Sequence, residues 1–276
     1  MFLIKTLYDG SGGVYGAPRI NAVLQAEHGY PEKGTREGRL NRIKALMRGH
    51  GIRAKIKAST DSNHPQPIAP NLLAETEHQP TGPNQAFVSD ITYIRTQAGW
   101  LYLAAVMDWY TRAIVGWAIK PRMTTDLVLN ALTMGWFRNH PEPGAIFHCD
   151  RGSPYAAMAV RKRIKDSRPR PRMSGKGGCV DNAAMESFWK TLKTERVYLQ
   201  NIYDTREIAR ADIVAYIEMV YNPLRLPSSL GYCSPTQFEQ DYYEKQLKHN
   251  SAIKSSTKTS RLRKLDKISP MMNAPT

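Results

Sequence analysis

Cysteine is scarce in this sequence, and long apolar stretches are missing. The chain of 276 residues holds three cysteines, Cys149, Cys179 and Cys233, and none of them forms a CxxC pair. An odd and scattered set argues against a disulfide framework. A zinc finger is also disfavoured, because none of the seven histidines pairs with closely spaced cysteines. No apolar run reaches the roughly 20 residues that span a bilayer, and no signal-peptide core follows the N-terminus. We therefore expect a cytoplasmic protein without a membrane partner.

Two further patterns are missing. The sequence has no sustained heptad repeat, which argues against a coiled coil. The glycine-rich segment Ser174-Gly175-Lys176-Gly177-Gly178 does not fit the P-loop pattern, so a P-loop nucleotide site is excluded. We expect this segment to be a mobile loop over substrate.

Positive charge is abundant. The 39 lysines and arginines outnumber the 24 aspartates and glutamates, which gives a net charge of +15. An excess of this size favours a polyanionic partner, through phosphate contacts and counterion release. Nucleic acid is the favoured partner, while a ribosomal or membrane-surface role and a merely solvated basic surface remain open.

The composition divides the chain into four parts. Residues 1–56 read as a helical module, 57–86 as a proline-rich linker, 87–245 as the core domain with C-terminal helices, and 246–276 as a basic, disordered tail. The module contains two short amphipathic helices within 17–50, and lysine and arginine crowd them. This pattern suggests a helix-turn-helix-like DNA module, although a helical hairpin that packs on the core has the same pattern.

The core begins with three predicted strands, at 87–95, 100–108 and 112–120. The middle strand is apolar on both faces, so it should be central and covered by helices on both sides. A helix at 124–138, a strand at 145–149, a helix capped by Ser153 and a helix at 204–220 follow. The fold class is therefore α/β.

Three acids occupy telling positions in these elements. Asp90 lies inside the first strand, Asp150 ends the apolar run of the fourth strand, and Glu186 lies in a helical run that begins at Asp181-Asn182. Asp150 and Glu186 have 35 residues between them. Carboxylates that two strands and a helix bring to one point form a hard-oxygen site, which can hold two Mg²⁺ ions and transfer a phosphoryl group.

Each acid also has a structural interpretation. Asp90 could be an edge charge that discourages aggregation, Asp150 a turn residue, and Glu186 one partner of a surface ion pair with Lys190. Two other acids resemble them: Asp108 ends the second strand, and Asp181 fits an N-cap.

The Glu186 helix has two distinct faces. Residues spaced by three or four share a face, so Asn182, Glu186, Lys190 and Lys193 should look into a cleft. The apolar side chains should dock on the sheet: Ala184, Met185, Phe188 and Leu192.

Several short motifs occur in an order that resembles a known family. They are Asp90-Ile91-Thr92-Tyr93-Ile94, Gly99-Trp100-Leu101-Tyr102-Leu103, Asp150-Arg151-Gly152-Ser153, Asp181-Asn182-Ala183-Ala184-Met185-Glu186-Ser187-Phe188 and Leu192-Lys193-Thr194-Glu195. The chain is similar over roughly residues 15–240 to the OrfB transposase of the insertion-sequence family three, which has a retroviral-integrase-like core.

The resemblance implies an RNase H-like mixed five-stranded sheet flanked by helices. It maps the catalytic, metal-binding DDE triad onto Asp90, Asp150 and Glu186. The implied reaction is cleavage at element ends and transfer of a 3′-hydroxyl, with two Mg²⁺ or Mn²⁺ ions and no covalent protein–DNA intermediate. Expected DNA contacts are Arg19, Arg151, Lys176, Lys190 and Lys193.

The resemblance also implies partners. These are DNA, both element ends and target, and the product of an upstream frame, OrfA, joined by fusion or association. We expect an oligomer on DNA and association with the nucleoid. The chain has only one small N-terminal module and no heptad run, so it should be the catalytic half.

Several positions depart from the family pattern. Phe87 and Val180 stand where tryptophan is usual, Pro154 replaces glutamine, and Leu226-Pro227 occupies a stretch that usually ends with histidine. Pro169 and Pro171 weaken the expected fifth strand, because proline removes a ladder donor. The alternative hypothesis is a decayed transposase remnant that only binds DNA. A nuclease acting on RNA hybrids would share the fold but not the basic N-terminal module.

Overall fold

The computed structural model describes residues 1–29, 35–54, 79–149, 153–157, 159–160, 162, 170–173, 183–200 and 202–268. Nine α-helices are named within these ranges: α1 Phe2–Gly10, α2 Ala17–His28, α3 Arg36–Gly49, α4 Thr125–Asn139, α5 Ser153–Ala156, α6 Ala183–Glu195, α7 Arg206–Ala215, α8 Asn222–Leu224 and α9 Pro235–Ile268. The strands are β1 Ala86–Thr96, β2 Gly99–Asp108, β3 Ile114–Lys120, β4 Ile146–Cys149 and β5 Arg170–Met173. A π-helical turn, Tyr216–Tyr221, joins α7 to α8.

The five strands form one mixed sheet in the order β3-β2-β1-β4-β5. The hairpins β1–β2 and β2–β3 are antiparallel, while β1–β4 and β4–β5 pair in parallel. The predicted five-stranded α/β sheet flanked by helices is confirmed, and β1 lies at its centre.

Alternating residues of β2 enter two different cores. Leu103 and Ala105 pack in the core beneath α6 and α7, while Ala104 and Val106 pack in the core beneath α4. All four are fully buried. The prediction that this strand is apolar on both faces and covered on both sides is therefore confirmed, whereas the central position belongs to β1 and not to β2.

Each edge of the sheet carries a distinctive feature. The edge strand β5 tolerates Pro171, which pairs with Phe147, because an edge strand needs ladder donors on one side only. At the opposite edge, the side chain of Asn222 holds the backbone of Ile114. The Ile114 amide donates to Asn222 Oδ1 at 2.9 Å, and Asn222 Nδ2 donates to the Ile114 carbonyl at 3.0 Å.

The N-terminal module has a small core of its own. Ile4 of α1 packs with residues of α2 and α3, including Ile20, Leu24 and Ile43. Thr35 caps α3 by accepting a hydrogen bond from the Gly38 amide at 3.2 Å. The helix α1 was not predicted. Most of the predicted linker, residues 55–78, lies outside the described residues.

A buried carboxylate joins this module to the core. Glu195, at the end of α6, is paired with Arg19 of α2 at 3.1 Å and with Arg225 at 3.3 Å. Glu195 also accepts a hydrogen bond from the Tyr216 hydroxyl at 2.6 Å. Burial, followed by the charge of Glu195, raises the pKa of the Tyr216 hydroxyl, so this hydroxyl stays protonated and donates. We call these four residues the Glu195 cluster.

The C-terminal segment differs from our expectation. Residues 246–268 of the predicted disordered tail continue α9 as helix, while 269–276 lie outside the described residues. The segment from Glu244 to Ile268 contains neither glycine nor proline, and lysine, glutamine, leucine and arginine are good helix formers. Low apolar content was therefore a poor guide to the secondary structure here. No helix within the described residues is both long and apolar enough to cross a membrane.

The close approach of β3 to α4 generates a stability prediction. A Cβ atom added to Gly116 would overlap the carbonyl oxygen of Ala131 and lie 2.6 Å from the amide nitrogen of Gly135. Both obstacles are backbone atoms, so the helix must shift. We expect Gly116→Ala to lower the free energy of unfolding by about 1–3 kcal/mol, as measured by chemical denaturation.

Gly135→Ala is the matched control for this prediction. Its Cβ would meet Val115 Cγ2 at 3.5 Å, an ordinary contact, and alanine favours a helix over glycine by up to about 1 kcal/mol. Gly135→Ala should therefore be neutral or stabilising. Equal destabilisation by the two substitutions would contradict the prediction that only a Cβ atom at position 116 clashes with the helix backbone.

Candidate active site

Asp90 lies in the central strand β1, where its carboxylate is held by two hydrogen bonds. The indole Nε1 of Trp189 donates to Asp90 Oδ2 at 2.8 Å, and the Ile91 amide donates to Asp90 Oδ1 at 2.7 Å. Asp90 itself is half-buried. Because both oxygens accept a hydrogen bond, the orientation of the carboxylate is fixed by the fold.

The helix α6 presents the two faces that the sequence predicted. Met185, Phe188 and Leu192 are buried in the core against the sheet, while Glu186 and Lys190 are exposed. This confirms the apolar side of the helix. The outcome follows from the 3.6-residue period, which puts positions three and four apart on one side.

Trp189 is the residue that the sequence reasoning missed. Its ring is 7% exposed and packs beside Phe188, with centroids 4.7 Å apart. The signal available in the sequence was an indole one helical turn after Glu186, since a buried indole N–H needs an acceptor. That acceptor is Asp90.

The Trp189–Asp90 hydrogen bond sets where Glu186 lies. It places α6 against the face of the sheet to which the Asp90 side chain turns. Glu186 precedes Trp189 by three residues, roughly 4.5 Å along a helix axis and within one turn. Asp90 and the Glu186 helix are thus on the same side of the sheet.

Position 150 follows directly after the described end of β4. Cys149, the last residue of β4, pairs in parallel with Ser89, the residue before Asp90. Asp150, Arg151 and Lys176 lie outside the described residues. Their predicted roles stay predictions.

Lys193 of α6 interacts electrostatically with Asp90. Its ammonium nitrogen is 5.0 Å from the centroid of the Tyr93 ring. Partial burial lowers the pKa of the Lys193 ammonium, and the negative charge of Asp90 opposes that shift. Lys193 therefore sits between the candidate catalytic carboxylate and an aromatic side chain.

Arg19 is engaged inside the protein. Besides its ion pair with Glu195, its Nε donates to the Leu226 carbonyl at 3.3 Å, and its guanidinium lies 5.6 Å from the centroid of Tyr15. These contacts connect the N-terminal module to the core. A contact between Arg19 and DNA stays a prediction, and it would have to compete with them.

Asp108 has a structural role. It is 1% exposed and accepts hydrogen bonds from the amides of Thr111 at 2.8 Å and Asn84 at 2.6 Å. Burial raises the pKa of the Asp108 carboxyl, and these hydrogen bonds oppose the shift. The side chain thus organises the turn between β2 and β3.

The donor set suits a hard divalent cation. Asp90 and Glu186 offer carboxylate oxygens, the ligands that Mg²⁺ and Mn²⁺ prefer. Within the described part of the chain, no three histidine, cysteine, aspartate or glutamate side chains form a metal-binding group. That part contains two of the three predicted ligands, because Asp150 is outside it.

Comparison with known proteins identifies the class. Residues 80–179 match a family described as "Integrase core domain", and residues 186–242 match a second family with the same description. The intasome of simian T-cell lymphotropic virus in complex with the PP2A regulatory subunit B56 gamma aligns with a TM-score of 0.50 over 86% of this chain and 74% of that chain, at 16% identity. That likeness shows the fold, which is an RNase H-like integrase core with additional N-terminal helices.

Two curated relatives narrow the class. The insertion element IS600 uncharacterized 31 kDa protein of Shigella sonnei is 42% identical over 241 residues, 87% of each chain. The transposase InsF for insertion sequence IS3A of Escherichia coli K12 is 42% identical over 229 residues, 82% of this chain and 76% of the relative.

These matches define a DDE-type polynucleotidyl transferase with an integrase core. More specifically, the chain belongs to the IS3 family of insertion-element transposases. Membership implies DNA binding, oligomerisation and dependence on a divalent metal. The alternative of a remnant that only binds DNA is not favoured.

Phe87, which stands where the family usually has tryptophan, is accommodated in the hydrophobic core. Phe87 is fully buried, and its ring lies 5.5 Å from the ring of Trp136, which in turn lies 5.5 Å from Phe147. A phenylalanine therefore completes an aromatic cluster beneath α4.

The hydrogen bond between Trp189 and Asp90 generates an activity prediction. Trp189→Phe keeps an aromatic ring but removes the indole N–H, so the Asp90 carboxylate loses one orienting donor. We expect strand-transfer activity to fall about 10- to 100-fold, as for other groups that orient metal ligands. The Mg²⁺ concentration for half-maximal activity should rise, which a purely structural role would not cause.

Trp117→Phe is the matched control. It also removes an indole–carboxylate hydrogen bond, from Trp117 Nε1 to Glu218 Oε1 at 2.7 Å, on a strand two positions away from that of Asp90 in the sheet. Its Mg²⁺ dependence should match that of the wild type. If both variants required more Mg²⁺ to the same extent, the effect would reflect a general loss of stability and not the orientation of Asp90.

Proposed function

We propose that Asp90, Asp150 and Glu186 form the metal-binding catalytic triad of this transposase. In this proposal the chain cleaves DNA at the ends of its insertion element and transfers the resulting 3′-hydroxyl to a target phosphodiester. The observation that carries the proposal is the Trp189–Asp90 hydrogen bond, which holds the Glu186 helix against the strand of Asp90.

The register between β1 and β4 supports the inclusion of Asp150. The two strands pair in parallel up to Ser89 and Cys149, so the next positions along them are Asp90 and Asp150. Neighbouring strands lie about 4.8 Å apart. If the register continues by one residue, the two carboxylates emerge side by side, within reach of a shared cation.

The three carboxylates would hold two Mg²⁺ or Mn²⁺ ions, in keeping with their hard oxygen ligands. Such ions, when bound, lower the barrier by activating the attacking oxygen and stabilising the leaving oxygen. The protein's own contribution is to fix the ligands. Trp189 and the Ile91 amide orient Asp90, while the buried face of α6 fixes the position of Glu186.

Lysines on the same helix are suited to hold the DNA. Lys190 is exposed one turn after Glu186, and Lys193 lies two turns after it. Both would meet phosphates on either side of the reacting bond, because ammonium groups bind phosphates as point charges. We include Arg151 and Lys176 in the same role on the basis of their sequence positions.

The proposal extends to partners and location. The helical module would help to position DNA, and the OrfA product, fused or associated, would supply recognition of the element ends. An oligomer would assemble on the DNA, and the protein would associate with the nucleoid. The net charge of +15 supports contact with the phosphate backbone.

Removal of one charge tests the triad. Asp150→Asn keeps the shape of the side chain but removes the charge that holds metal. We expect strand cleavage and transfer to fall on the order of 10,000-fold, as for the loss of a member of a catalytic unit. DNA binding, measured without divalent metal, should stay nearly unchanged.

Asp126→Asn is the control for that measurement. Asp126 is exposed and lies 3.9 Å from Lys120, so its loss removes only a weak surface pair. Its activity should equal that of the wild type. Near-normal turnover of Asp150→Asn in Mg²⁺ would refute the assignment of the triad.

The partner proposal predicts how the isolated chain binds DNA. Contacts to phosphates position a protein but carry no sequence code. The purified chain should therefore bind terminal-repeat DNA and scrambled DNA with similar affinity at physiological salt. A preference of about 1,000-fold for terminal repeats, typical of a specific binder, would show that this chain recognises element ends without OrfA.

A further inference from the structure

Two aromatic rings are exposed at one end of the β1–β2 hairpin. Tyr93 is 58% exposed and Trp100 is 46% exposed. Their ring centroids lie 5.3 Å apart with the planes nearly perpendicular. Together with the exposed Arg95, which is paired across the strands with Trp100, they form a surface that we call the aromatic platform.

The exposure follows from how α4 covers the sheet. Tyr93 pairs across the strands with Tyr102, and the side chains of paired residues share a face. Two residues further along β2, on that same face, Ala104 is fully buried in the core under α4. The helix thus covers this face near Ala104 and leaves it open at Tyr93 and Trp100.

Lys193 links the aromatic platform to the candidate active site. Tyr93 follows Asp90 by three residues, roughly 10 Å along the strand, and its side chain turns to the opposite face of the sheet, because successive strand residues alternate in direction. Lys193 bridges the two, because its ammonium lies 5.0 Å from the Tyr93 centroid and interacts electrostatically with Asp90. A DNA strand whose phosphate lies at Asp90 would reach these rings by passing Lys193 and crossing to the other face of the sheet.

We propose that the aromatic platform binds unpaired bases of the DNA strand that flanks the reacting phosphate. Tyr93 and Trp100 supply faces on which bases stack, while Arg95 and Lys193 hold the phosphates between them. The proposal rests on the active site proposed above. It adds that the substrate is locally melted next to the reacting bond.

Chemistry favours unpaired bases over other occupants. Aromatic side chains interleaved with cations are typical of surfaces that bind single strands, where every base offers a π-face. Paired bases in a duplex are already stacked on one another. A second copy of this chain is disfavoured, because it would set Arg95 and Lys193 against another strongly basic protein.

The test measures binding without divalent metal, so that no chemistry occurs. Two probes share one sequence: a fully paired duplex, and the same duplex with a short stretch of mismatched bases that carries 2-aminopurine. Stacking quenches the fluorescence of 2-aminopurine. We expect the wild-type protein to bind the mismatched probe more tightly and to quench it.

Substitution of either ring should remove this preference. Tyr93→Leu and Trp100→Leu keep an apolar side chain but no ring, and each should weaken binding to the mismatched probe by about 5- to 150-fold, the range for loss of one stacked base. Tyr93→Phe keeps the ring and should therefore bind and quench the mismatched probe as the wild type does. Lys193→Ala should weaken binding to both probes equally, because phosphates are present in each.

Phe137→Leu is the matched control. Phe137 is 81% exposed on α4, and its loss should leave both probes unaffected. Three outcomes would overturn the proposal: unchanged affinity in the Leu variants, an equal loss for the two probes, or loss of self-association with unchanged DNA binding. Because these measurements need no catalysis, they are separate from the outcome for Asp150→Asn.

Discussion

The buried carboxylate of Glu195 is the constraint on which the arrangement of this protein depends. It is 10% exposed and is compensated by two arginines, Arg19 from the N-terminal module and Arg225 from the segment after α8. Removal of one partner of a buried pair typically costs about 3–5 kcal/mol. Because Glu195 ends the same helix that carries Glu186, one side chain contacts the module, the segment after α8 and the candidate catalytic helix at once.

Local pattern in the sequence was enough for much of the fold. The apolar period of α6 correctly placed Met185, Phe188 and Leu192 on the sheet, and the two-sided burial of β2 followed from its uninterrupted apolar run. The motif order pointed to the family, which the relatives confirm. For α6 and β2 the information lies within a dozen residues, which is the range over which helix and strand periods operate.

What the sequence could not provide were pairings between distant residues. Arg19 meets Glu195, and Trp189 meets Asp90, across separations that no periodicity links. The prediction of disorder for residues 246–268 was wrong for a different reason. It gave the lack of apolar residues more weight than the helix propensity of the residues present. For the candidate site, the positions of Asp90 and Glu186 on β1 and α6 followed from local pattern, but the indole that orients Asp90 did not.

The two edges of the sheet limit how copies of this protein can associate. An open edge strand is a template for another chain to pair with, backbone to backbone. Here Pro171 lacks an amide donor on one edge, and Asn222 occupies both the amide and the carbonyl of Ile114 on the other. Growth of the sheet from one subunit into the next is therefore hindered at Pro171 and at Ile114. Contacts through helices and side chains would instead let subunits gather on DNA and separate again without unravelling the sheet that carries Asp90.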